Sequence, residues 1–423
     1  MEAIRERREF DIAVIGGGAA GLMAAVCGAE TPGIRVGVFE AKSKPGKRLL
    51  ATGNGRCNLS NRSAGPAHYH GDTDKIAPLL ERYSPETVEG LFRGLGLICR
   101  EGEEGRLYPY TLQASSVLSA LLRRAEDLGA AILCDSPVSA VSGKRGGFSI
   151  RSGEREFCAK AVIFATGGLS YPALGGSGSG WEMLRSLGHS IAPAFPSLVQ
   201  LLAPKRLTAP LKGVRLRGAV SLLLDGAAAA SSEGEIQFTE KGVSGICVFE
   251  LSRAYGEYVR GGGKDAELSC DLAPDFTLRE LTSYLRERTA SRTLPLEELL
   301  DGLTGRQAGK ALLRRALPGR SGLCRELGGG EIASVAKAVK DLRFPVTGTA
   351  GWEAAQVTAG GVRLREVNLE TMESRLCPGL FLTGELLNVD GDCGGYNLHW
   401  AWSTGCAAGK SAAADWRKTY GRI

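Results

Sequence analysis

At 423 residues, with 43% hydrophobic and 23% charged residues, the chain has the size and composition of a globular protein of two or three domains. It contains no run of about 18 uninterrupted apolar residues, which argues against a membrane span. Its 11 cysteines form no C-x-x-C pair and no Cys/His cluster of zinc spacing, so neither a disulfide framework nor a metal site is expected, and the formal net charge is a mild +6.

The charged N-terminus (MEAIRERREFD) leads directly into the first apolar run, leaving no room for a signal peptide, and a cytoplasmic location is expected. Residues 12–15 read as a buried parallel strand. They stop at Gly16-Gly17-Gly18-Ala19-Ala20-Gly21, which fits G-x-G-x-x-G and opens an apolar small-residue helix. Gly16 permits the tight turn, Gly18 lets backbone approach a pyrophosphate, and Gly21 lets helix and strand pack closely. A second strand, residues 36–39, ends at Glu40, whose carboxylate suits a ribose 2′-hydroxyl and repels a 2′-phosphate. This is a dinucleotide site, and the fingerprint alone leaves NAD and FAD open.

Farther along, residues 116–129 repeat apolar residues at helical spacing, and residues 131–134, 138–141 and 148–151 read as short strands. Residues 161–165 form another buried strand, closed by Thr166-Gly167-Gly168. Gly175 to Gly180 superficially suggest a second nucleotide loop but follow Tyr171-Pro172 rather than an apolar strand. Residues 197–271 then give short β-type stretches, at 198–202, 219–224, 245–249 and 268–270. Residues 277–343 turn helical, residues 379–384 return to a buried strand, and a last helix begins near Asn397. The order implies one α/β domain of two chain segments with a β-plus-helix insertion that covers the cofactor.

Three segments favour FAD. Residues 42–61 follow the Glu40 strand and combine Arg48 and Arg56 with a Gly/Thr/Asn run suited to an extended dinucleotide. Ala165-Thr166-Gly167 lets backbone pass close to a nucleotide. In residues 382–405, a strand ends at Gly384-Glu385, Asp390 lies in a polar loop suited to ribityl hydroxyls, and Gly394-Gly395 precede a helix whose N-terminus suits the flavin O2/N1 edge. The expected cofactor contacts are therefore Gly16, Gly18, Ala19, Ala20 and Gly21; Glu40, Ala41, Lys42 and Arg48; and Gly55, Arg56, Cys57 and Asn58. Val138, Ala165, Thr166 and Gly167 join them, as do Gly384, Glu385, Asp390, Gly394, Gly395, Tyr396, Asn397 and Leu398.

The segments Glu40 with Gly53-Asn54-Gly55-Arg56-Cys57-Asn58, residues 234–245, and Gly384-Glu385 through Asp390 to Asn397 resemble the BaiN/YhiN-type flavoproteins, also labelled aminoacetone-oxidase-like or NAD(P)/FAD-dependent oxidoreductases. The resemblance implies a Rossmann-like FAD domain (residues 1–195 and 355–423), a β-barrel-like insert (196–273 and 344–354) and a small helical domain (274–343). Departures fall at Asn54, Glu240, Ile246 and His399, where relatives often carry Gly, His, Pro and Gln.

Cys57 lacks a C-x4-C partner, so a dithiol relay is not expected and the thiol reads as a packed residue. For acid/base or electrostatic roles the candidates are Arg56, His399, Tyr396 and Tyr171, although His399 also reads as packing beside Trp400 and Trp402. The expected function is an FAD oxidoreductase: hydride passes from transiently bound NAD(P)H to flavin and then to an unsaturated or carbonyl small molecule. The resemblance makes steroid- or bile-acid-like enones a candidate class. The alternative uses residues 302–343, which hold nine Lys/Arg against three acids, to bind RNA and reduce a nucleobase. A structural role for FAD without turnover and the oligomeric state stay open.

Overall fold

The computed structural model describes residues 8–421; the charged N-terminal segment, residues 1–7, lies outside the described residues. The chain divides into two compact units. One runs to Phe195 and resumes at Val357; the other is Pro196–Gln356.

The first unit is built on parallel strands: β1 (Arg8–Ile15), β2 (Val36–Phe39), β4 (Ala131–Leu133), β5 (Arg155–Phe164) and β6 (Leu380–Leu382). Their order in the sheet is β6-β5-β1-β2-β4. Ile12, Val14, Val38, Ile163 and Phe381 are all but inaccessible, as expected where both faces of a parallel sheet are covered. The register pairs Leu382 with Phe164, Phe164 with Ile15, Ile15 with Phe39, and Phe39 with Leu133. Five strands thus end level, and every loop that follows emerges at one carboxyl edge. A short antiparallel pair, β3 (Tyr69–Gly71) with β7 (Val389–Gly391), lies outside this sheet.

The longest helices of this unit are α1 (Ala19–Ala29), α2 (Ala114–Asp127) and α3 (Tyr396–Tyr420). Helices α1 and α3 cross almost backbone to backbone. A Cβ at Gly405 would lie 2.4 Å from the Ala20 carbonyl oxygen, and one at Gly409 2.3 Å from that of Ala24. The same crossing brings Cys27 and Cys406, which the sequence separates, to 3.1 Å between sulfurs.

The second unit carries a seven-stranded sheet in the order 342–345, 266–271, 215–224, 227–238, 242–244, 201–202, 348–349. Its long hairpin turns at Asp225-Gly226, both with positive φ, the geometry that matches strand twist. The helices Leu278–Thr289, Arg306–Ala316 and Gly329–Lys340 share one apolar core with this sheet, through Leu281, Leu312 and Val335 packed with Val220 and Phe344. The first of them starts on a capping box between Thr277 and Glu280. Residues 245–249, expected as a strand, instead begin the helix Ile246–Arg260. Cys247, Val248, Leu251, Ser252 and Tyr255 are among its buried residues. That spacing is helical, and the short β-branched and aromatic run at its start hid it. Among the described residues no helix is long and apolar enough to cross a membrane.

The crossing gives a stability test. Replacing Gly409 with Leu forces a side chain into the Ala24 carbonyl and is expected to destabilise by at least about 2 kcal/mol, read as a lower thermal midpoint. Gly90, in the helix Pro85–Gly94, has open space at its Cβ position, and Gly90→Ala there raises stability by about 0.5–1 kcal/mol.

Candidate functional site

At the centre of the carboxyl edge, Gly16 adopts φ +109°, and a Cβ there would lie 2.4 Å from the Ala165 carbonyl oxygen. A Cβ at Gly21 would sit 1.9 Å from the Gly16 carbonyl oxygen. These two glycines are fixed by packing. Gly18 is different: a Cβ there meets nothing within 4 Å. It is the N-cap of α1, no side chain caps the helix, and no acid lies in its first turn, where Ala19 and Ala20 stand. Open space therefore faces the positive end of the helix, which fits a diphosphate. The Glu40 carboxylate accepts hydrogen bonds from the backbone N–H of Gly17 (3.0 Å) and of Lys42 (2.7 Å), spanning exposed Ala41. Val138 begins a strand two residues beyond Ser136, whose N–H donates to the Glu40 carbonyl at 2.8 Å.

Beside this cradle lies a network of polar groups. Arg48 Nη2 is 2.7 Å from Glu385 Oε2 and donates to Ser170 Oγ at 2.9 Å. Glu385 Oε1 accepts from Ser170 Oγ (2.8 Å) and from the Thr358 N–H (2.7 Å). Gly167, with φ +70°, leaves room for the guanidinium: a Cβ there would be 3.0 Å from Arg48 Nη1. Removing Glu385 would strand a half-buried guanidinium, a hydroxyl and an amide, a loss of about 3–5 kcal/mol. Thr166 Oγ1, on the loop that follows Ala165, is buried with no hydrogen-bond partner, a polar atom left over for a ligand. A Cβ at Gly180 would lie 2.0 Å from that oxygen, so the loop around Gly175 to Gly180 packs on the same edge.

The two most distinctive motifs meet at the N-terminus of α3. A Cβ at Gly395 would lie 2.4 Å from the Ser60 carbonyl oxygen and 2.7 Å from Asn58 Oδ1, and Asn61 Nδ2 donates to the Gly394 carbonyl at 3.1 Å. Asn58 Oδ1 is itself buried without a partner. Asn397 closes the loop before it, accepting from the Gly391 N–H (2.8 Å) and donating to the Gly391 carbonyl (2.7 Å). Asp390 is buried in β7, opposite His70 in register, and Leu398 is half-buried. Trp400 Nε1 donates to the Gly384 carbonyl at 3.2 Å, and Trp402 Nε1 to the Leu59 carbonyl at 2.9 Å. Helix α3 thus pins both flanking loops.

The acid/base candidates fall into different settings. His399 is fully buried, its Nδ1 2.8 Å from Ser60 Oγ, and burial pushes its ionisation down to about 4. It is a neutral packing group near pH 7. Tyr396 is buried and stacks on His68, with ring centroids 4.3 Å apart. Arg56 is exposed and lies over the Tyr108 ring at 5.9 Å, next to Gly55, which has open space around it. Tyr171 adopts φ +51° ahead of the turn at Pro172. Cys57 is buried, and burial pushes its thiol up to about 12, which removes it as a nucleophile.

One group gives little sign of itself in the sequence. Asp392 Oδ2 is 3.0 Å from His68 Nδ1, and its Oδ1 is 2.6 Å from His70 Nε2. Burial opposes ionisation of this carboxyl, but the bonds from His70 and His68 more than offset it and hold it below the ordinary range. The available signal was the spacing His68-Tyr69-His70, where the short turn Pro66–His68 runs into β3 and both imidazoles reach Asp392. In the second unit, Glu240 lines a cavity of about 420 Å³ with Gln200, Thr239 and Lys241, and Lys205 and Lys212 pair with it.

The model of the HI0933-like protein Rossmann domain matches residues 10–411. A 3-dehydro-bile acid Δ4,6-reductase from Clostridium scindens is 38% identical over 408 residues, covering 95% of this chain and 98% of the relative. A ribosomal RNA dihydrouridine synthase from Haemophilus influenzae is 30% identical over 421 residues, covering 94% and 97%. In structure, the chain is similar to the 3-ketosteroid-Δ4-(5α)-dehydrogenase of Rhodococcus jostii RHA1, solved with 4-androstene-3,17-dione. The TM-score is 0.53 at 18% identity, covering 97% of this chain and 98% of that one.

His399 predicts a pH response. A histidine in the unfolded chain ionises near 6.5, whereas the folded one resists protonation down to about 4. On acidification the unfolded state therefore takes up the proton first. Stability falls between about pH 6.5 and 4, then levels, by on the order of 3 kcal/mol in all. Urea midpoints measured across that window are expected to drop more steeply for the wild type than for His399→Gln; parallel slopes would show that another group sets the response.

Proposed function

Because this chain belongs to the HI0933-like Rossmann-domain family, we propose that it is an FAD enzyme that reduces a carbon–carbon double bond conjugated to a carbonyl. It is a flavin-dependent oxidoreductase of the BaiN-like type. The observation that carries the finer reading is the meeting of the Asn58–Asn61 and Gly394–Asn397 segments at the N-terminus of α3, beside a buried Asp390 and in front of a parallel-sheet edge. The chemistry named for the relatives supports it. A 3-keto-Δ4,6 steroid and the uracil ring both carry a C=C bond next to a carbonyl, so one hydride-plus-proton addition serves both.

In this reading the first turn of α1, with Gly18, Ala19 and Ala20, takes the diphosphate and Glu40 takes the adenosine ribose. The Ala41–Lys42 and Val138 backbones flank the adenosine end. Arg48 with Glu385, and Asp390, stand along the ribityl chain, where Thr166 offers its unpartnered oxygen. The α3 N-terminus, through Gly394, Gly395, Tyr396, Asn397 and Leu398, places a positive dipole end against the ring's O2/N1 edge, where negative charge collects on reduction. Gly55, Arg56, Cys57 and Asn58 line the approach to that edge. Bound FAD supplies the hydride, and NAD(P)H renews it. The substrate class favoured is a steroid- or bile-acid-like enone.

The second reading, RNA binding through residues 302–343, draws on the dihydrouridine synthase relative. Much of the segment's charge is already engaged. Lys310 pairs with Glu297, Arg320 with Glu331, Lys340 with Asp271, and Arg343 with Glu267 and Asp341, while Arg315 caps the Arg343 carbonyl. Arg306, Arg314, Arg325 and Lys337 remain exposed. That balance favours the small molecule.

Two experiments separate the readings. Anaerobic mixing with NADPH or NADH is expected to bleach the visible flavin band, and a 3-oxo-4,6-diene steroid acid is expected to restore it and gain two hydrogens. A flavin that NAD(P)H leaves oxidised counts against the reading. For RNA, the double variant Arg306→Glu/Arg314→Glu is expected to leave any ribosomal RNA binding and its salt slope unchanged. Loss of tight, salt-sensitive binding in that variant would favour the second reading instead.

A further inference from the structure

We propose that His68, oriented by Asp392, is the acid that protonates the carbon next to the carbonyl while hydride adds at the far end of the double bond. The proposal rests on the FAD reading and names the one component it lacks, a proton source. His399 is sealed and neutral, and Cys57 is a buried thiol. The pair His68–Asp392 is placed otherwise. The His68 ring is 35% exposed and stacks on Tyr396, the first residue of α3, with 14° between the planes. That puts an imidazole against the helix end to which the flavin ring is assigned, with water on its other side.

The geometry decides the atoms. His68 Nδ1 donates to Asp392 Oδ2, which fixes the tautomer and leaves Nε2 as the ring nitrogen free to serve a substrate. His70 Nε2 binds Oδ1, so the carboxylate is held from both sides and cannot rotate away from His68. His70 and Asp392 are positioning residues. Tyr396 on α3 stacks on His68, and Asp392, just beyond β7, pairs with it and with His70; Tyr69 packs edge-on against Tyr396, Asp390 lies opposite His70 in register, and Asp72 is engaged by Arg363 and Asn388. In the step itself, hydride from the reduced cofactor forms the C–H bond at the β-carbon. The π pair then takes the Nε2 proton of imidazolium His68 at the α-carbon. The product is saturated across that bond, His68 is left neutral and still donates Nδ1–H to Asp392, and water returns the proton through the exposed face. The electron pair comes from NAD(P)H by way of the cofactor.

The test uses the full FAD-loaded chain with His68→Gln and Asp392→Asn. Both variants are expected to keep wild-type FAD content and wild-type bleaching by NAD(P)H. Reduction of a 3-oxo-4,6-diene steroid acid is expected to fall on the order of 100-fold in His68→Gln. Asp392→Asn is expected to fall less. In D₂O, the wild type places one deuterium on a single face at the α-carbon, and His68→Gln scatters it between faces. Independently of turnover, NMR is expected to show two ring N–H protons bonded to Asp392 that vanish in Asp392→Asn. Absence of those protons in the wild type overturns the proposal, as does a His68→Gln enzyme with wild-type rate and face selectivity. Failure of FAD to bind or bleach in the wild type strikes the FAD reading instead, and the NMR result still decides whether Asp392 organises the histidines.

Discussion

Two helices cross at points where α3 cannot carry a side chain, and much of the first unit is arranged around that contact. Gly405 and Gly409 of α3 press against the Ala20 and Ala24 carbonyls of α1. In the FAD reading proposed above, the N-terminus of α1 serves the diphosphate and that of α3 the ring. The distance between the crossing and each helix start then fixes the span that one dinucleotide must bridge. Other bonds hang from α3: the indoles of Trp400 and Trp402 hold the Gly384 and Leu59 backbones, and the Thr404 hydroxyl accepts from the Gly384 N–H at 2.9 Å. A shift of α3 would move both loops at once.

At two places in the unit charge is held by giving each carboxylate oxygen a donor. The Arg48–Glu385 pair would offer little at a free surface, where such contacts contribute at most about 1 kcal/mol. Here each carboxylate oxygen has a donor from the Arg, a hydroxyl or an amide, so the pair joins the loops after β5 and β6 to the segment after β2. Asp392 follows the same rule with two imidazoles. In both cases the partners come from segments far apart in the chain, and that is why the groups are rigid.

Much of the backbone at the strand ends was legible because its residue types answer local demands. Gly16 and Gly21 solve a turn and a close approach within six residues, Gly18 leaves open space at the start of α1, and Glu40 follows a strand end. The level ends of the strands could be anticipated from buried apolar runs followed by small residues. What escaped has a common cause. Gly405 and Gly409 look like any small residues in a helix, and only the partner backbone shows why they are glycine. His68 and His70 gain meaning from Asp392, more than 300 residues later. The helix at Ile246 was hidden because its first residues suit a strand, and its period shows only over several turns. His399 read either as an acid or as packing, and its burial was a property of the whole core.

The first unit is assembled from both ends of the chain, with the second unit encoded between them. A ribosome releases α1 early, yet the glycines that cover its face appear roughly 380 residues later. At about 5–20 residues per second, the small apolar face of α1 waits on the order of 20–80 s for its mate. In the FAD reading, that interval precedes closure of the proposed cradle, which makes cofactor capture a late event of biosynthesis. Over that interval the nascent α/β layer carries an uncovered stripe of alanines and Cys27, and loss of the late glycines would uncover α1 at the other end of the sequence.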